Sequence, residues 1–517
     1  MTLRPHAFAV GSPTLLLALG GLLAACSPNP IAPAASSGGS SGTLGTSGGT
    51  TGAATTGGAT TSGTTSGLGT TTSAGSSGTT GGTVSCTVDD DCPSGQICDT
   101  TRGSPICIVS PIQHVIIFVK ENHTFDNYFG SFPGANGTDM ALTSHGMIPV
   151  PEAPDYTTRD MCHAHACAIT DWDNGAMDGW DSVPGTSVVD AGIDGGYGDE
   201  LAYSQYFQKD IPNYWAYAST YALADNYFAS HLGPSFPGHL HTIAAQAAWS
   251  IDNPSDTFPW GCNAPAGTTE AVVDQSTCTT TTVAPCFDIP ALPDLLPAGT
   301  PWRFYATDYL SFLNVGTVGL WSMMFAIQSY ENTTNVVQDA DFFTDVDAGT
   351  LPPLSWVVPQ DQNSEHPSNC FSVCAGENWT VNHVNQIMNS PYWAHTAILL
   401  TYDDFGGWYD HVPPPTQYGC DPQNDPYGLG MRLPLMILSP YVRPGLVYHA
   451  QAEQASVVRF AERALGMRGT LNAMDPNARD AQADDLFGAF DFSQTPNPPL
   501  PLTQRSCPLA IPFCQLL

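Results

Sequence analysis

Lysine is nearly absent from this chain: its 517 residues include only Lys120 and Lys209. Lys and Arg together number 13 against 47 Asp and Glu, for a formal net charge of −34. So acidic a surface repels nucleic acid and anionic lipid headgroups, which argues against nucleic-acid binding. The same shortage bears on chemistry. A site for an anionic substrate must find its positive charge locally, and a metal ion is the readiest source. Long apolar runs are also missing after the N-terminal segment, and none there could span a bilayer. Residues 27–85 have almost nothing apolar to bury and no charge pattern. Runs such as TTGGATTSGTTSG predict a flexible, disordered Gly/Ser/Thr tether.

Residues 1–26, MTLRPHAFAVGSPTLLLALGGLLAAC, place an Arg and a His ahead of an apolar stretch of signal-peptide length. The stretch ends in Leu23-Ala24-Ala25-Cys26, which resembles a bacterial lipobox. That resemblance implies cleavage before Cys26 and lipid attachment to its thiol; a plain secretory signal is the alternative. The expected product is exported and lipid-anchored at the cell envelope or surface, or released from it, rather than embedded. Of 15 cysteines, setting aside Cys26 leaves 15 − 1 = 14, an even number in an exported chain. Disulfides are the natural reading. Residues 86–110 hold Cys86, Cys92, Cys98 and Cys107; export and the absence of CxxC pairs favour a small disulfide module over a zinc knuckle. A Pro-rich tail, residues 493–517, carries Cys507 and Cys514 and reads as a surface staple.

From about residue 111 to 492 the texture changes. HVIIFVKEN, LSWVVPQDQ, HTAILLTYDD and LPLMILSPY are short apolar runs, partly β-branched and bounded by turn residues. Such runs suit strands buried on both faces. Between them, Val381, Val384, Ile387 and Met388 recur at helical spacing, as do Val457, Phe460, Ala461 and Leu465. Strands alternating with helices predict an α/β fold with a mostly parallel sheet.

In open α/β sheets, functional groups gather beyond the carboxyl ends of the strands. HVIIFVK runs into Glu121-Asn122, SWVVP leads to Glu365-His366-Pro367, and AILLTY runs into Asp403-Asp404. Adjacent carboxylates joined by a Glu from another strand would repel unless something positive lay among them. One divalent cation meets that need, with Asn122 adding a neutral oxygen. A pair of aspartates alone is more often a solvated loop; the shared placement behind buried strands is what favours the metal. Gly406 and Gly407 then permit a tight turn. Within GPSFPGHLH, Ser235 lies just before an Ala-rich helical run, where the exposed amides favour an anion. Metal coordination would activate its hydroxyl as a nucleophile. A simple N-cap is the bland alternative.

HVIIFVKENHTFDNYFGSFPG, NGAMDGW, LADNYFASHLGPSFPGHLH, SPYWAHTAILLTYDDFGGWYDHV and LPLMILSPYV occur in that order. Together they resemble the bacterial phosphoesterase family of phosphatidylcholine-type phospholipases C and related acid phosphatases. The resemblance covers residues 111–492. It implies an alkaline-phosphatase-like α/β core and hydrolysis of phosphoric esters through a phosphorylated Ser or Thr. By position it makes Glu121 with Asn122 and Asp403 with Asp404 the metal-binding pairs, and Ser235 the nucleophile. It makes His165 the histidine that faces the phosphoryl group, with His163 as a shifted alternative, and His366 a second active-site histidine. His411 belongs to the pattern as a support that braces the Asp pair. Two departures stand out. Gly238-His239 replaces the Asn-Arg usual after the nucleophile loop, removing a cation, and Glu453 stands near a position where the family has Asp. The first puts substrate preference in doubt; the expected function is a metal-dependent, acid-phosphatase-like phosphoric-ester hydrolase. The alternatives are a phospholipase C acting on phospholipid headgroups and, from another class, a surface lipoprotein that only binds.

Overall fold

The computed structural model describes residues 84–509 apart from 187–198, 256–257, 309–319, 360, 369, 416–419 and 421–427. The signal segment, Cys26, most of the tether and Cys514 lie outside the described residues. Eight strands form the main sheet: β1 (His114–Lys120), β2 (Ala222–Ala224), β3 (Trp302–Ala306), β4 (Val336–Gln338), β5 (Leu354–Val358), β6 (Thr396–Tyr402), β7 (Leu435–Leu438) and β8 (Leu446–Tyr448). Their order across the sheet is β4–β3–β5–β1–β6–β7–β2–β8. Neighbours run parallel except at β7, which is antiparallel to both β6 and β2. The four apolar runs picked out above are thus four of the eight strands, and they lie side by side at its centre as β5–β1–β6–β7.

Branched and aromatic side chains suit a pleated surface covered on both sides. Val115, Ile116, Ile117, Phe118 and Val119 are all buried, as is every residue of β6. Alternate residues face opposite layers. Phe118 meets Trp379 of helix Val373–Met388 on one face. Trp356, paired in register with Ile117, donates its indole N–H to the Thr242 carbonyl in helix Ser235–Ala244 on the other. The second of these helices packs against helix Gln454–Ala464. An α/β layered core therefore carries the chain's chemistry at its strand ends.

Disulfides tie the periphery to that core. Cys86–Cys98 and Cys92–Cys107 close the small N-terminal module, the disulfide reading expected for it, with a pairing that the sequence did not give. The module does not stand apart. Arg463 bonds Asp89 and the Cys98 carbonyl, and Arg468 bonds the carbonyls of Asp89 and Cys92. Cys507 bonds Cys374 in helix Val373–Met388, so the tail's staple reaches into the core. Cys162–Cys167, Cys262–Cys286 and Cys278–Cys420 are further bonds between described cysteines.

One buried charge cluster organises the approach to the site. Arg432 is fully buried and spends its fork on Asp410 (3.0 Å), Asp126 (3.0 Å) and two backbone carbonyls, Asn136 and Asp225. Asp126 also accepts from the backbone N–H and Nδ1 of His411. The expectation that His411 braces the Asp403–Asp404 pair is therefore corrected: its Nδ1 is committed to Asp126, on short helix Phe125–Phe129. Breaking a buried pair leaves a charge without compensation, at a cost of about 3–5 kcal/mol. Arg432→Met should lower unfolding free energy by that order, measured by chemical denaturation, with a smaller loss for His411→Gln.

Candidate active site

The site is assembled where β1 and β6 end side by side. Their parallel register runs from His114 opposite Thr396 to Lys120 opposite Tyr402, and Asp403 N–H donates to the Lys120 carbonyl at 3.0 Å. That registry brings Glu121-Asn122 and Asp403-Asp404 together although 281 positions separate Asn122 from Asp403. All four are buried. Asn122 adopts a left-handed backbone, φ 66°, a strained conformation for a residue with a side chain. In return its N–H reaches Asp403 Oδ1 at 3.0 Å. Asp404 N–H donates to the same oxygen, and Gly406 N–H donates to Asp404 Oδ1, both at 2.7 Å. Gly406 is required twice over: φ is +60°, and a Cβ would stand 2.4 Å from the Asn122 carbonyl oxygen.

Each aspartate thus has one oxygen held by backbone N–H groups and one turned toward neighbouring side chains. Burial, and then repulsion from Asp404, push Asp403 well above the ordinary carboxylate range. Asp404 is also pushed up by burial, an effect opposed by His163 and by its hydrogen bonds. Two carboxylates so placed disfavour double ionisation unless a cation joins them.

Ser235 is the first residue of the helix that crosses these strand ends, one position further in than the sequence suggested. Pro234 occupies the N-cap, so the serine is not the cap. Its hydroxyl, 5% exposed as a residue, donates to Asp404 Oδ2 at 2.9 Å. Gly238 explains how the helix comes so close, since a Cβ there would meet the Asp403 carbonyl oxygen at 2.1 Å. Gln454 secures the strand end from the other side, its amide donating to the carbonyls of Tyr402 and Asp403.

The histidines sort themselves by contact. His163 Nε2 lies 3.2 Å from Asn122 Nδ2, and its ring stands 5.7 Å from that of His366. Its Nδ1 bonds the Met161 carbonyl at 2.7 Å. The amide therefore donates to Nε2, and Asn122 Oδ1 is left buried with no hydrogen bond. Burial lowers the His163 pKa, yet Asp404 and Asp160 outweigh it and carry the group up to about 9. A positive charge among the carboxylates would weaken that pull and leave Nε2 able to accept. His165 was expected to face the phosphoryl group. Its Nδ1 is anchored by the Leu232 carbonyl at 2.6 Å, and its Nε2 is buried without a hydrogen bond, an arrangement compatible with that expectation. Of the two, His163 touches the Asn122 side chain. His366, half-buried, bonds Ser368 Oγ through Nδ1 at 2.9 Å, and burial holds its pKa down to about 4. Glu453, the departure near a family Asp, is engaged by Arg479 at 2.6 and 2.9 Å.

The model of the Phosphoesterase family matches residues 112–468. The chain belongs to that family. Among curated relatives, phospholipase C B of Mycobacterium tuberculosis is 27% identical over 467 residues, covering 79% of this chain and 83% of its own. Non-hemolytic phospholipase C of Pseudomonas aeruginosa is 26% identical over 449 residues, covering 75% of this chain and 58% of its own. A solved structure of an alkaline phosphatase superfamily protein from Vibrio parahaemolyticus aligns over 70% of this chain and 69% of its own, at 10% identity. Its TM-score of 0.31 is too low to carry more. Hydrolysis of phosphoric esters is the reaction class of this family member.

A divalent cation fits the residues present. Glu121, His239 and Asp403 each offer a ligand atom, all within 4.8 Å of one another, and Asn122 Oδ1 and His239 Nε2 are buried without hydrogen bonds. Sequence reasoning treated His239 only as a lost cation. The spacing held a signal, however, since Ser235 and His239 are four apart and lie on one face of a helix. Gln454 gave no such sign, because its role depends on a backbone turn formed by distant residues.

Proposed function

We propose that this phosphoesterase hydrolyses phosphoric monoesters through a phosphoserine formed on Ser235. The reading is carried by one observation, the buried Ser235 hydroxyl donating to Asp404 Oδ2 at 2.9 Å beside a second carboxylate. A divalent cation held by Glu121, Asn122, Asp403 and Asp404 would supply the charge that favours the serine alkoxide and neutralises phosphoryl oxygens. Ser235 gives its proton to Asp404 and attacks phosphorus in line, while the ester oxygen leaves on the opposite side. The negative charge of the bound ester would raise the His366 pKa from its burial-lowered value of about 4, so that the imidazolium protonates that oxygen. His163, which touches Asn122, takes the place expected for His165 beside the phosphoryl group. Water then cleaves the Ser235–phosphate bond, releases phosphate and restores the hydroxyl.

Phospholipase C activity is the second reading, favoured by the relatives at 26–27% identity, which are phospholipases C. Assays of p-nitrophenyl phosphate and p-nitrophenylphosphorylcholine in parallel distinguish the two. We expect kcat/KM to favour the monoester at least tenfold; faster release from the choline diester, with cleavage of phosphatidylcholine vesicles, would sink the monoesterase reading. Envelope attachment through Cys26 is part of the same proposal and rests on Leu23-Ala24-Ala25-Cys26. Cys26→Ala should shift the protein from the membrane fraction to the medium.

A further inference from the structure

We infer that His239 is a nitrogen ligand of the active-site cation, and that it tunes the site toward an imidazole-accepting ion such as Zn²⁺ over Ca²⁺ or Mg²⁺. The inference rests on the metal-dependent reading above and goes beyond it. It assigns a ligand at a position where the family pattern has a different side chain, and it narrows the class of metal.

Three observations converge. His239 is 1% exposed, and its Nε2 is buried with no hydrogen-bond partner. His165 Nε2 and His231 Nδ1 are also without a partner, but the His239 nitrogen lies among carboxylate oxygens of Glu121 and Asp403. Second, Nε2 stands 3.5 Å from Asp403 Oδ2, beyond a good N–H···O bond. Two ligands each about 2.1 Å from a shared ion at tetrahedral angles stand roughly 3.4 Å apart. Third, a Glu121 carboxylate oxygen completes a set of three atoms within 4.8 Å of one another.

The imidazole is also held in place. Gly238 lets the helix press on the Asp403 carbonyl, where any Cβ would clash at 2.1 Å. The Trp321 ring lies edge-on to the His239 ring at 5.8 Å. Helical spacing then puts His239 one turn beyond Ser235, so nucleophile and nitrogen ligand face the same strand ends. A site of carboxylate and amide oxygens alone suits Ca²⁺ or Mg²⁺, whereas an imidazole among them suits Zn²⁺, Fe²⁺ or Ni²⁺.

The test uses chelator-stripped full-length protein, wild type and His239→Gln, titrated separately with Zn²⁺ and Ca²⁺ by calorimetry. X-ray absorption at the zinc edge is recorded on the loaded wild type. We expect imidazole scattering in the wild-type spectrum, and Zn²⁺ affinity about a hundredfold weaker in His239→Gln, with Ca²⁺ affinity changed less than about threefold. A loaded wild type whose spectrum lacks imidazole scattering, or a variant with unchanged Zn²⁺ affinity, would overturn the assignment of His239 while leaving the metal-dependent reading intact. Wild type that binds neither ion would overturn both. The spectrum requires no substitution, so a lack of imidazole scattering overturns the assignment even if His239→Gln fails to fold.

Discussion

Ser235→Ala should reduce kcat for every phosphoric ester by about 10⁴-fold or more, while the purified variant keeps the wild-type metal content. The magnitude follows from removing a nucleophile whose partners act with it as a unit, so the remaining charge stabilisation accounts only for the residual rate. Metal content is expected to survive because the Glu121, Asn122, Asp403 and His239 side chains are untouched. Asp404 loses only the hydrogen bond it accepts from the serine. The helix should survive as well, since Pro234 caps it and the serine side chain makes no capping bond. Acid quenching of wild type during turnover of a ³²P-labelled substrate should trap label on Ser235. An alanine variant with near-normal turnover, or label on another residue, would defeat the nucleophile assignment.

The parts of this site that could be read from sequence are those built by local pattern plus one topological rule. Four apolar runs end in polar groups, and parallel strands deliver their carboxyl ends to one edge. The adjacency of β1 and β6 turns that rule into contact between Asn122 and Asp403. The Gly406 turn was legible because a glycine pair one residue beyond two aspartates has little other use. What escaped depends on pairings without local trace. Arg432 draws Asp126 and Asp410 together from separate segments, and this diverts His411 from the pair it was expected to support. The choice between His163 and His165 turns on which ring meets Asn122, a contact across 41 positions. The Cys278–Cys420 link spans 142 residues and could not be deduced from counting cysteines. His239 was visible as a departure, but its meaning required the Gly238 contact with Asp403.

Stripping the cation with EDTA should abolish hydrolysis and reverse the sign of the protein's response to acid. In the stripped protein, burial and mutual repulsion raise the folded-state pKa of Asp403, and burial raises that of Asp404. The folded state then binds protons more tightly than the unfolded chain. Stability from this pair is fully present below the unfolded carboxylate range, near about 3.9, and is lost as pH rises through the raised folded values. Acidifying stripped protein from pH 7 to pH 5 should therefore raise its Tm relative to a variant lacking the pair's charge. Loaded protein should behave oppositely, because protons compete with the ion for the same oxygens. At free metal about a thousandfold above Kd, binding adds about 4 kcal/mol at pH 7. Asp403→Asn separates the contributions. Without metal it should be more stable than stripped wild type at pH 7, because it removes the charge that burial and Asp404 disfavour. It should also lose most of the stabilisation by added metal. Thermal scans of both proteins at pH 5 and 7, with and without EDTA, give all the comparisons. Parallel curves that ignore the chelator would mean that the carboxylates at the ends of β1 and β6 hold no ion, and that Ser235 has no cation beside it to favour its alkoxide.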